Sequence, residues 1–243
     1  MKPFPFCFFR RLLLGVLCAG LLSGGAAAAG VTGSGKAASE ARPVSAFDTI
    51  VLKGAMHLVL RQGSKEAVEV RGDDNLLPLV ETTVRGNTLE IATRRGASYS
   101  TRNELVVTVE VVRLKELALA GAGDAVGDRL KTGPLKLRIE GSGDLRLTEL
   151  SADTLVIDVA GSGDVTVGGR AGKLDVSIAG SGDVTTRELQ ADDVNISIAG
   201  SGGARVNARK TLAVSIAGSG DVDYTGEAAV RTAIAGSGSV RKR

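Results

Sequence analysis

The chain has 243 residues and a formal net charge of +3, with 30 Lys and Arg residues against 27 Asp and Glu residues. That surplus comes entirely from Lys2, Arg10 and Arg11, because residues 1–29 contain no acidic residue and the rest of the chain is electrically balanced. The composition therefore argues against a nucleic-acid partner, since neutralising phosphates requires a clustered excess of basic residues.

The first 29 residues have the pattern of a secretory signal peptide. A basic start precedes an apolar run over 12–22, and small residues follow over 23–30. Signal peptidase recognises this arrangement, so we predict cleavage near Ala28 or Ala29 and export to the periplasm or the cell surface. An uncleaved membrane anchor is the alternative, but the apolar run is shorter than the roughly 20 residues that span a bilayer. No transmembrane segment is expected after cleavage.

Both cysteines, Cys7 and Cys18, lie in the predicted signal peptide, so the mature chain is expected to contain no thiol. It therefore forms no disulfide in the oxidising compartment that it is predicted to enter. Residues 30–46 contain few large apolar side chains and are predicted to form a flexible leader. Residues 47–243 are predicted to form a single domain, which is the default at this length.

Between residues 47 and 120 the sequence is strand-like but irregular. Apolar and β-branched runs, such as 56–60 and 105–111, alternate with turn signals such as 72–75 and 85–87. We predict that this part supplies irregular N-terminal rungs of the same domain, because the terminal units of a repeat array usually differ from the inner ones.

The strongest pattern in the chain is a Gly-x-Gly turn that recurs with a period near twenty residues. Successive turns lie 20, 20, 19, 20, 18 and 18 residues apart, and five of the seven are followed directly by Asp. Repetition at such a period is typical of stacked repeat architectures. The turn glycines are Gly121 and Gly123, Gly141 and Gly143, Gly161 and Gly163, Gly180 and Gly182, Gly200 and Gly202, Gly218 and Gly220, and Gly236 and Gly238. The aspartates are Asp124, Asp144, Asp164, Asp183 and Asp221, with Gly203 and Ser239 at the same place in the other two turns.

A strand with period-two alternation precedes each of the last six turns. The residues two, four and six positions before the first glycine are apolar at seventeen of eighteen places, and the residues between them are mostly small or polar. One side of each strand is therefore predicted to face a core and the other to face solvent. The predicted core positions are Leu135, Leu137, Ile139, Leu155, Ile157, Val159, Leu174, Val176, Ile178, Val194, Ile196, Ile198, Leu212, Val214, Ile216, Val230, Thr232 and Ile234.

These units predict an all-β parallel solenoid with rungs of about twenty residues. A single rung cannot bury its own apolar face, whereas stacked rungs bury a continuous core and pair each backbone with its neighbours at about 4.8 Å. A helical interpretation fails, because alternation at period two leaves no apolar stripe at the helical period of about 3.6 residues.

Several short motifs together resemble a known bacterial family. They are Phe47-x-x-Ile50-x-x-x-Gly54, the run Leu58-Val59-Leu60-Arg61-Gln62-Gly63, the run Gly72-Asp73-Asp74-Asn75-Leu76-Leu77, Asn87-x-Leu89-x-Ile91 and the serial Gly-Ser-Gly-Asp turns. Over residues 47–240 the chain is similar to the autotransporter-adhesin head GIN domain family. The resemblance implies a right-handed β-helix-like fold in an exported protein, with no established enzymatic activity and no catalytic residues to transfer.

Few side chains of the predicted mature chain are suited to catalysis. His57 is the only histidine, and it lies in a strand, where we interpret it as an outward-facing residue. Because the mature chain is predicted to contain no cysteine, neither thiol chemistry nor a zinc site is expected. No catalytic residue, cofactor or metal is predicted.

The five turn aspartates would form a column if the rungs stack in register, and two interpretations are open. In the first, each Asp caps its own turn by accepting hydrogen bonds from backbone N–H groups. In the second, the column binds Ca²⁺, since carboxylates at the spacing of the rungs would otherwise repel each other. The period of about twenty residues differs from the roughly nine of the calcium-binding Gly-rich repeat.

The residue before the first turn glycine is Ala from the third turn onward, at Ala160, Ala179, Ala199, Ala217 and Ala235. These alanines predict a flat surface of small side chains, which suits close approach by another backbone or sheet and is equally explained by regular stacking.

We predict a non-catalytic exported solenoid that acts as an adhesin-like binding or scaffold module, with a protein or glycan of the cell envelope as its partner. The alternatives are a polysaccharide-active enzyme that uses surface clusters of Asp and Arg, and a calcium-stabilised repeat protein.

Overall fold

A computed structural model describes residues 30–243, which form an all-β structure. The predicted signal peptide, residues 1–29, lies outside the described residues. Within the described range, the only helical element is one 3-10 turn over Leu77–Leu79, and no helix there is long and apolar enough to cross a membrane. The strands are β1 (Val31–Thr32), β2 (Ala37–Arg42), β3 (Thr49–Gly54), β4 (His57–Gln62), β5 (Ala67–Asp73), β6 (Val80–Arg85), β7 (Thr88–Thr93), β8 (Tyr99–Ser100), β9 (Val106–Val111), β10 (Glu116–Gly121), β11 (Asp124–Lys131), β12 (Pro134–Gly141), β13 (Leu145–Gly161), β14 (Val165–Gly180), β15 (Val184–Gly200), β16 (Gly203–Gly218), β17 (Asp221–Thr225), β18 (Ala229–Gly236) and β19 (Ser239–Lys242).

Two series of parallel strands form the walls of the solenoid. Wall A contains β7, β3, β10 and β12, then the second halves of β13 to β16, and then β18. Wall B contains β9, β4 and β11, then the first halves of β13 to β16, and then β17 and β19. This arrangement confirms the predicted all-β parallel solenoid with rungs of about twenty residues.

Each long strand runs through both walls, and only the Gly-x-Gly corner interrupts it. The second corner of each rung bends the strand without ending it, and the pairing register shifts there, as between Thr166 and Gly169. Corresponding residues of successive rungs are therefore aligned along each wall. One such column is Leu137, Ile157, Val176, Ile196, Val214 and Thr232.

The predicted inward positions form the core. All fifteen of them in β12 to β16 are at most 3% exposed. The last rung differs, because Val230 is 37% and Ile234 is 43% exposed, and Thr232 is exposed as well. No further rung lies on β18 among the described residues, so these three side chains have neighbours on one side only.

The N-terminal rungs are irregular in two respects. The strands β3 and β4 lie between the rung of β7 and β9 and the rung of β10 and β11, so the order in space differs from the order along the chain. Beyond β7 and β9, the strands β6 and β5 run antiparallel to the rungs. Leu76 and Leu77, in the connection between β5 and β6, are buried, so the core at this end is covered.

The segment 30–46 differs from the flexible leader predicted for it. The strand β1 pairs in parallel with β8, and β2 pairs antiparallel with β5 along its whole length. The side-chain amide of Asn75 also donates to the carbonyl oxygen of Thr32, at 2.8 Å. Composition misassigned the segment because an edge strand adds backbone hydrogen bonds to a sheet and needs no large apolar side chains to do so.

The inward and outward phases of the rungs can be tested with one substitution at two neighbouring positions. Ile198 is 1% exposed, so Ile198→Asp places a charge in the core and should lower the free energy of unfolding by about 3 kcal/mol or more. Ser197→Asp places the same charge on the exposed face, between Ser177 and Ser215, and should change stability by about 0.5 kcal/mol or less. Urea denaturation measures both, and equal losses would contradict the assigned phases.

Candidate functional site

The Gly-x-Gly corners bring the backbones of successive rungs into direct contact. The first glycine of each corner has a φ between 130° and 138°, a range that favours glycine. A Cβ atom on Gly180 would also lie 2.2 Å from the carbonyl oxygen of Gly161. The second glycine is needed for space alone, because a Cβ on Gly182 would lie 2.3 Å from the carbonyl oxygen of Gly163.

Backbone hydrogen bonds connect the corners along the solenoid. The middle residue of each corner donates its backbone N–H to the carbonyl oxygen of the first glycine in the previous rung, as Ser181 does to that of Gly161 at 2.9 Å. The same bond joins Ser201 to Gly180 and Ser219 to Gly200, each at 2.9 Å. The side chains of these serines are exposed, so the corner depends on its glycines rather than on the residue between them.

The turn aspartates form a ladder in which each carboxylate caps the next rung. Asp164 accepts a hydrogen bond on Oδ1 from the backbone N–H of Asp183, at 2.9 Å. The prediction that each Asp caps its own turn is therefore wrong in detail, since the donor lies one rung further on. In the full series, a backbone N–H donates to the Oδ1 atom of the aspartate one rung earlier. The pairs, donor first, are Asp144 and Asp124, Asp164 and Asp144, Asp183 and Asp164, Gly203 and Asp183, and Ser239 and Asp221.

The two turns without Asp interrupt this ladder in different ways. Gly203 still donates its N–H to Asp183, but it has no carboxylate to offer to the next rung. Ser239 donates both its N–H and its hydroxyl to Oδ1 of Asp221, at 3.0 and 2.6 Å. The hydroxyl bond from Ser239 outweighs the opposing effect of burial and holds the pKa of Asp221 below its usual value.

The geometry favours capping over a calcium site. One oxygen of each ladder carboxylate is engaged by a backbone N–H group, and within residues 30–243 no three His, Cys, Asp or Glu side chains converge on a common point. His57 lies at the start of this column, because it is paired in register with Asp124. Its Nδ1 is 3.8 Å from Oε1 of Glu104, and its side chain is 24% exposed. It is therefore a partly exposed strand residue with a carboxylate neighbour.

A trough crosses the outer face of wall A, with a volume of about 530 Å³. Two columns of outward side chains border it, and the strand backbone between them forms its floor, because the intervening residues point into the core. One column consists of Val156, Asp175, Asn195, Ala213 and Arg231, and the other of Asp158, Ser177, Ser197, Ser215 and Ala233.

The charged groups of the trough lie towards its two ends. At one end Asp158 is 2.9 Å from the ammonium of Lys136, and Asp175 is 2.7 Å from that of Lys173. At the other end Arg231 has no carboxylate within 4 Å among the residues that the structure describes. The middle of the trough is bordered by small uncharged side chains, and its walls are mainly carbon.

Asp175 is held in its ionised form. Its partial burial acts to raise the pKa, but hydrogen bonds from Asn195 and Lys173 outweigh that effect and hold the pKa of Asp175 below its usual value. The amide of Asn195 donates to Oδ1 at 2.7 Å, and the ammonium of Lys173 donates to Oδ2 at 2.7 Å.

The trough brings together residues that the sequence analysis did not single out as a site. The alternation identified Ser177, Ser197 and Ala213 as outward residues, but it did not indicate which outward columns enclose a depression. The available signal was the period itself, because residues about twenty apart must lie side by side on the same face. The turn residues proposed from sequence are instead gathered at the corners, away from the trough.

Comparisons with known proteins agree with the fold. The family described as "Putative auto-transporter adhesin, head GIN domain" matches residues 46–228. A search of curated proteins found no match.

Three solved structures superpose on 88% of the chain. A "putative adhesin" from Bacteroides fragilis is 23% identical, with a TM-score of 0.81 over 100% of its own length. Two proteins of Parabacteroides distasonis are each 26% identical over 99% of their length, a "putative lipid binding protein" with a TM-score of 0.73 and a "putative adhesin" with a TM-score of 0.70.

The aspartate ladder can be tested at one rung. Asp164→Ala removes the acceptor for the N–H of Asp183 and should lower the free energy of unfolding by about 1 kcal/mol. Asp164→Asn keeps an Oδ1 acceptor at the same place and should lose less than half as much, as measured by urea denaturation.

Thermal denaturation of the same variants, with and without calcium, tests for a calcium site. Calcium or a chelator should leave the thermal midpoint of the unsubstituted protein unchanged. A midpoint that rises with calcium and loses this response in both variants would contradict the capping role.

Proposed function

Because the chain belongs to the auto-transporter adhesin head GIN domain family, we propose that it is a non-catalytic, exported binding module of the cell envelope that holds its partner in the trough of wall A. The descriptions of the family and of two similar structures as adhesins support an adhesin-like role. The single observation that supports the choice of surface is the trough itself, a depression on an otherwise regular wall.

The trough suits an extended ligand. Its volume of about 530 Å³ lies within the usual range for ligand sites, about 300 to 1,000 Å³. It crosses five rungs from Val156 to Arg231, which at about 4.8 Å per rung corresponds to roughly 19 Å. Because Ser197, Ser215 and Ala213 are small, a chain lying between the columns could approach the strand backbone closely. We therefore propose an extended glycan or peptide of the envelope as the partner.

The wall is rigid enough to present such a site without rearrangement. Each trough residue belongs to a strand that is paired on both sides, except those on β18, and the inner core beneath is almost fully buried. A preformed surface loses little conformational entropy on binding, so modest contacts repeated along the rungs can add up to useful affinity.

A polysaccharide-active enzyme is the rival interpretation, and the trough carboxylates do not favour it. Glycoside hydrolysis commonly requires one carboxylic acid with a raised pKa that can donate its proton. The pKa of Asp175 is shifted in the opposite direction, and Asp158 is bound by Lys136. Both groups are therefore better suited to fixing the polar end of the trough than to transferring protons.

A second candidate ligand is an acyl chain. The carbon-rich walls of the trough favour it, and one similar protein, from Parabacteroides distasonis, is described as a "putative lipid binding protein". A lipid would place its apolar chain along the uncharged middle of the trough and its headgroup near Arg231 or near the acidic end.

Binding to defined envelope components tests the proposal. Ser197→Trp fills the middle of the trough and should weaken binding at least tenfold, while Ser162→Trp places the same side chain at an exposed corner and should leave it unchanged. Immobilised envelope polysaccharides, peptidoglycan and phospholipid vesicles serve as separate arms, measured by surface plasmon resonance. Equal binding by the two variants would exclude the trough as the site.

The same polysaccharides, incubated with the protein, distinguish a binding module from an enzyme. We expect no release of reducing ends. Hydrolysis that disappears in Asp175→Asn or Asp158→Asn would contradict the non-catalytic assignment.

A further inference from the structure

The rung formed by β18 and β19 leaves the core open at one end of the described solenoid. Val230 and Ile234 are 37% and 43% exposed, whereas their counterparts one rung below, Leu212 and Ile216, are 1% and 2% exposed. Such exposure of large apolar side chains at positions that are core in every preceding rung marks a surface suited to association.

The same rung carries a free strand edge. The strand β18 pairs only with β16 in the described chain, so one row of its backbone N–H and C=O groups has no partner strand. An exposed edge of eight residues is a template for pairing with another strand. The apolar side chains and the free backbone groups therefore lie at the same place.

We propose that β18 is the interface between two copies of this chain, which join tail to tail with their β18 strands antiparallel. The two-fold axis passes at Thr232, the central inward residue of the strand. Val230 of one copy then lies opposite Ile234 of the other, and the two Thr232 side chains lie opposite each other. The core of one solenoid thereby continues into the core of the second.

The outward side chains of β18 are compatible with this register. Arg231 lies opposite Ala233 of the second copy, and Ala229 lies opposite Ala235, so the single charge of each strand faces a small neutral side chain. Two of the basic residues nearby are already paired within each copy, since Arg243 is 3.2 Å from Asp223 and Lys242 is 3.1 Å from Glu227, and this reduces the repulsion between the two ends. Arg231 and Arg241 have no carboxylate within 4 Å among the described residues, so their charges oppose the contact and limit its strength.

Parallel head-to-tail stacking fits the ends less well. The opposite end of the solenoid is covered by β5 and β6, which run antiparallel to the rungs, so it does not present a matching rung. Ser239 also donates its hydroxyl to Asp221 instead of offering a carboxylate to a following rung. A two-fold contact is satisfied by two copies and closes, whereas a head-to-tail contact would continue into a filament.

The size of the contact predicts a weak, concentration-dependent dimer. A strand of eight residues is about 26 Å long at roughly 3.3 Å per residue, and only this strand, its inward side chains and the four-residue edge of β19 are covered. The buried area is therefore below that of a standard stable interface, about 800 Å² per partner.

Sedimentation velocity over a series of concentrations provides the first test. The mass should rise from that of one chain towards that of two and no further. Ile234→Lys, which puts a charge at an already exposed position, should remain at the mass of one chain at every concentration. Ser162→Lys, at an exposed corner away from β18, should dimerise like the unsubstituted protein. A single-chain mass at all concentrations, or growth beyond two chains, would overturn the proposal.

A cross-link tests the register itself. Directly opposed residues of an antiparallel pair have Cβ atoms about 4.5 to 5.5 Å apart, close enough for a disulfide after a small shift. With oxidised glutathione, Thr232→Cys should form a covalent dimer, located at residue 232 by mass spectrometry to separate it from any bond of Cys7 or Cys18. Ala235→Cys is on the same exposed edge but about 20 Å from its symmetry mate in this register, so it should not. Equal cross-linking of the two variants would contradict the assigned two-fold axis.

Discussion

At each corner of the solenoid, a backbone carbonyl oxygen occupies the space that the Cβ atom of the next rung would fill. The distance from a hypothetical Cβ at Gly182 to the oxygen of Gly163 is 2.3 Å, and at Gly143 to the oxygen of Gly123 it is 2.0 Å. Any side chain larger than hydrogen would therefore push the rungs apart. Because a parallel sheet requires neighbouring strands at about 4.8 Å, the glycines permit the spacing that the two walls need.

The other features follow from this spacing. Rungs that meet at fixed corners stack in register, so inward side chains form continuous columns and the core is almost fully buried from β12 to β16. The same register places the carboxylate of Asp164 beside the N–H of Asp183, which produces the ladder. On the outer face it aligns small side chains over five rungs, which leaves the trough open. Structure and proposed binding surface thus arise from one repeated contact.

Much of this architecture could be predicted from the sequence, because the period of the glycines and the alternation of apolar residues are local patterns. Ile178 and Ser177 differ in burial as their phases require. The rung that donates an N–H group to each turn aspartate could not be predicted, since it depends on which N–H group the stacking brings within reach of the carboxylate. The strand β2 was missed because edge pairing depends on β5, which lies about thirty residues away in the chain. The trough was missed because two outward columns border it, whereas the alternation describes one strand at a time.

Urea denaturation of Gly182→Ala beside Ser181→Ala tests whether backbone contact at the corners sets the spacing of the rungs. Gly182 does not have a positive φ, so its replacement by alanine adds no backbone strain of that kind. The substitution therefore isolates the steric contact between rungs. We expect Gly182→Ala to lower the free energy of unfolding by about 2 kcal/mol or more, since a backbone oxygen cannot move aside, and Ser181→Ala, at an exposed position, to change it by about 0.5 kcal/mol or less. A Gly182→Ala protein as stable as the unsubstituted chain would contradict the claim that backbone contact at the corners sets the spacing of the rungs.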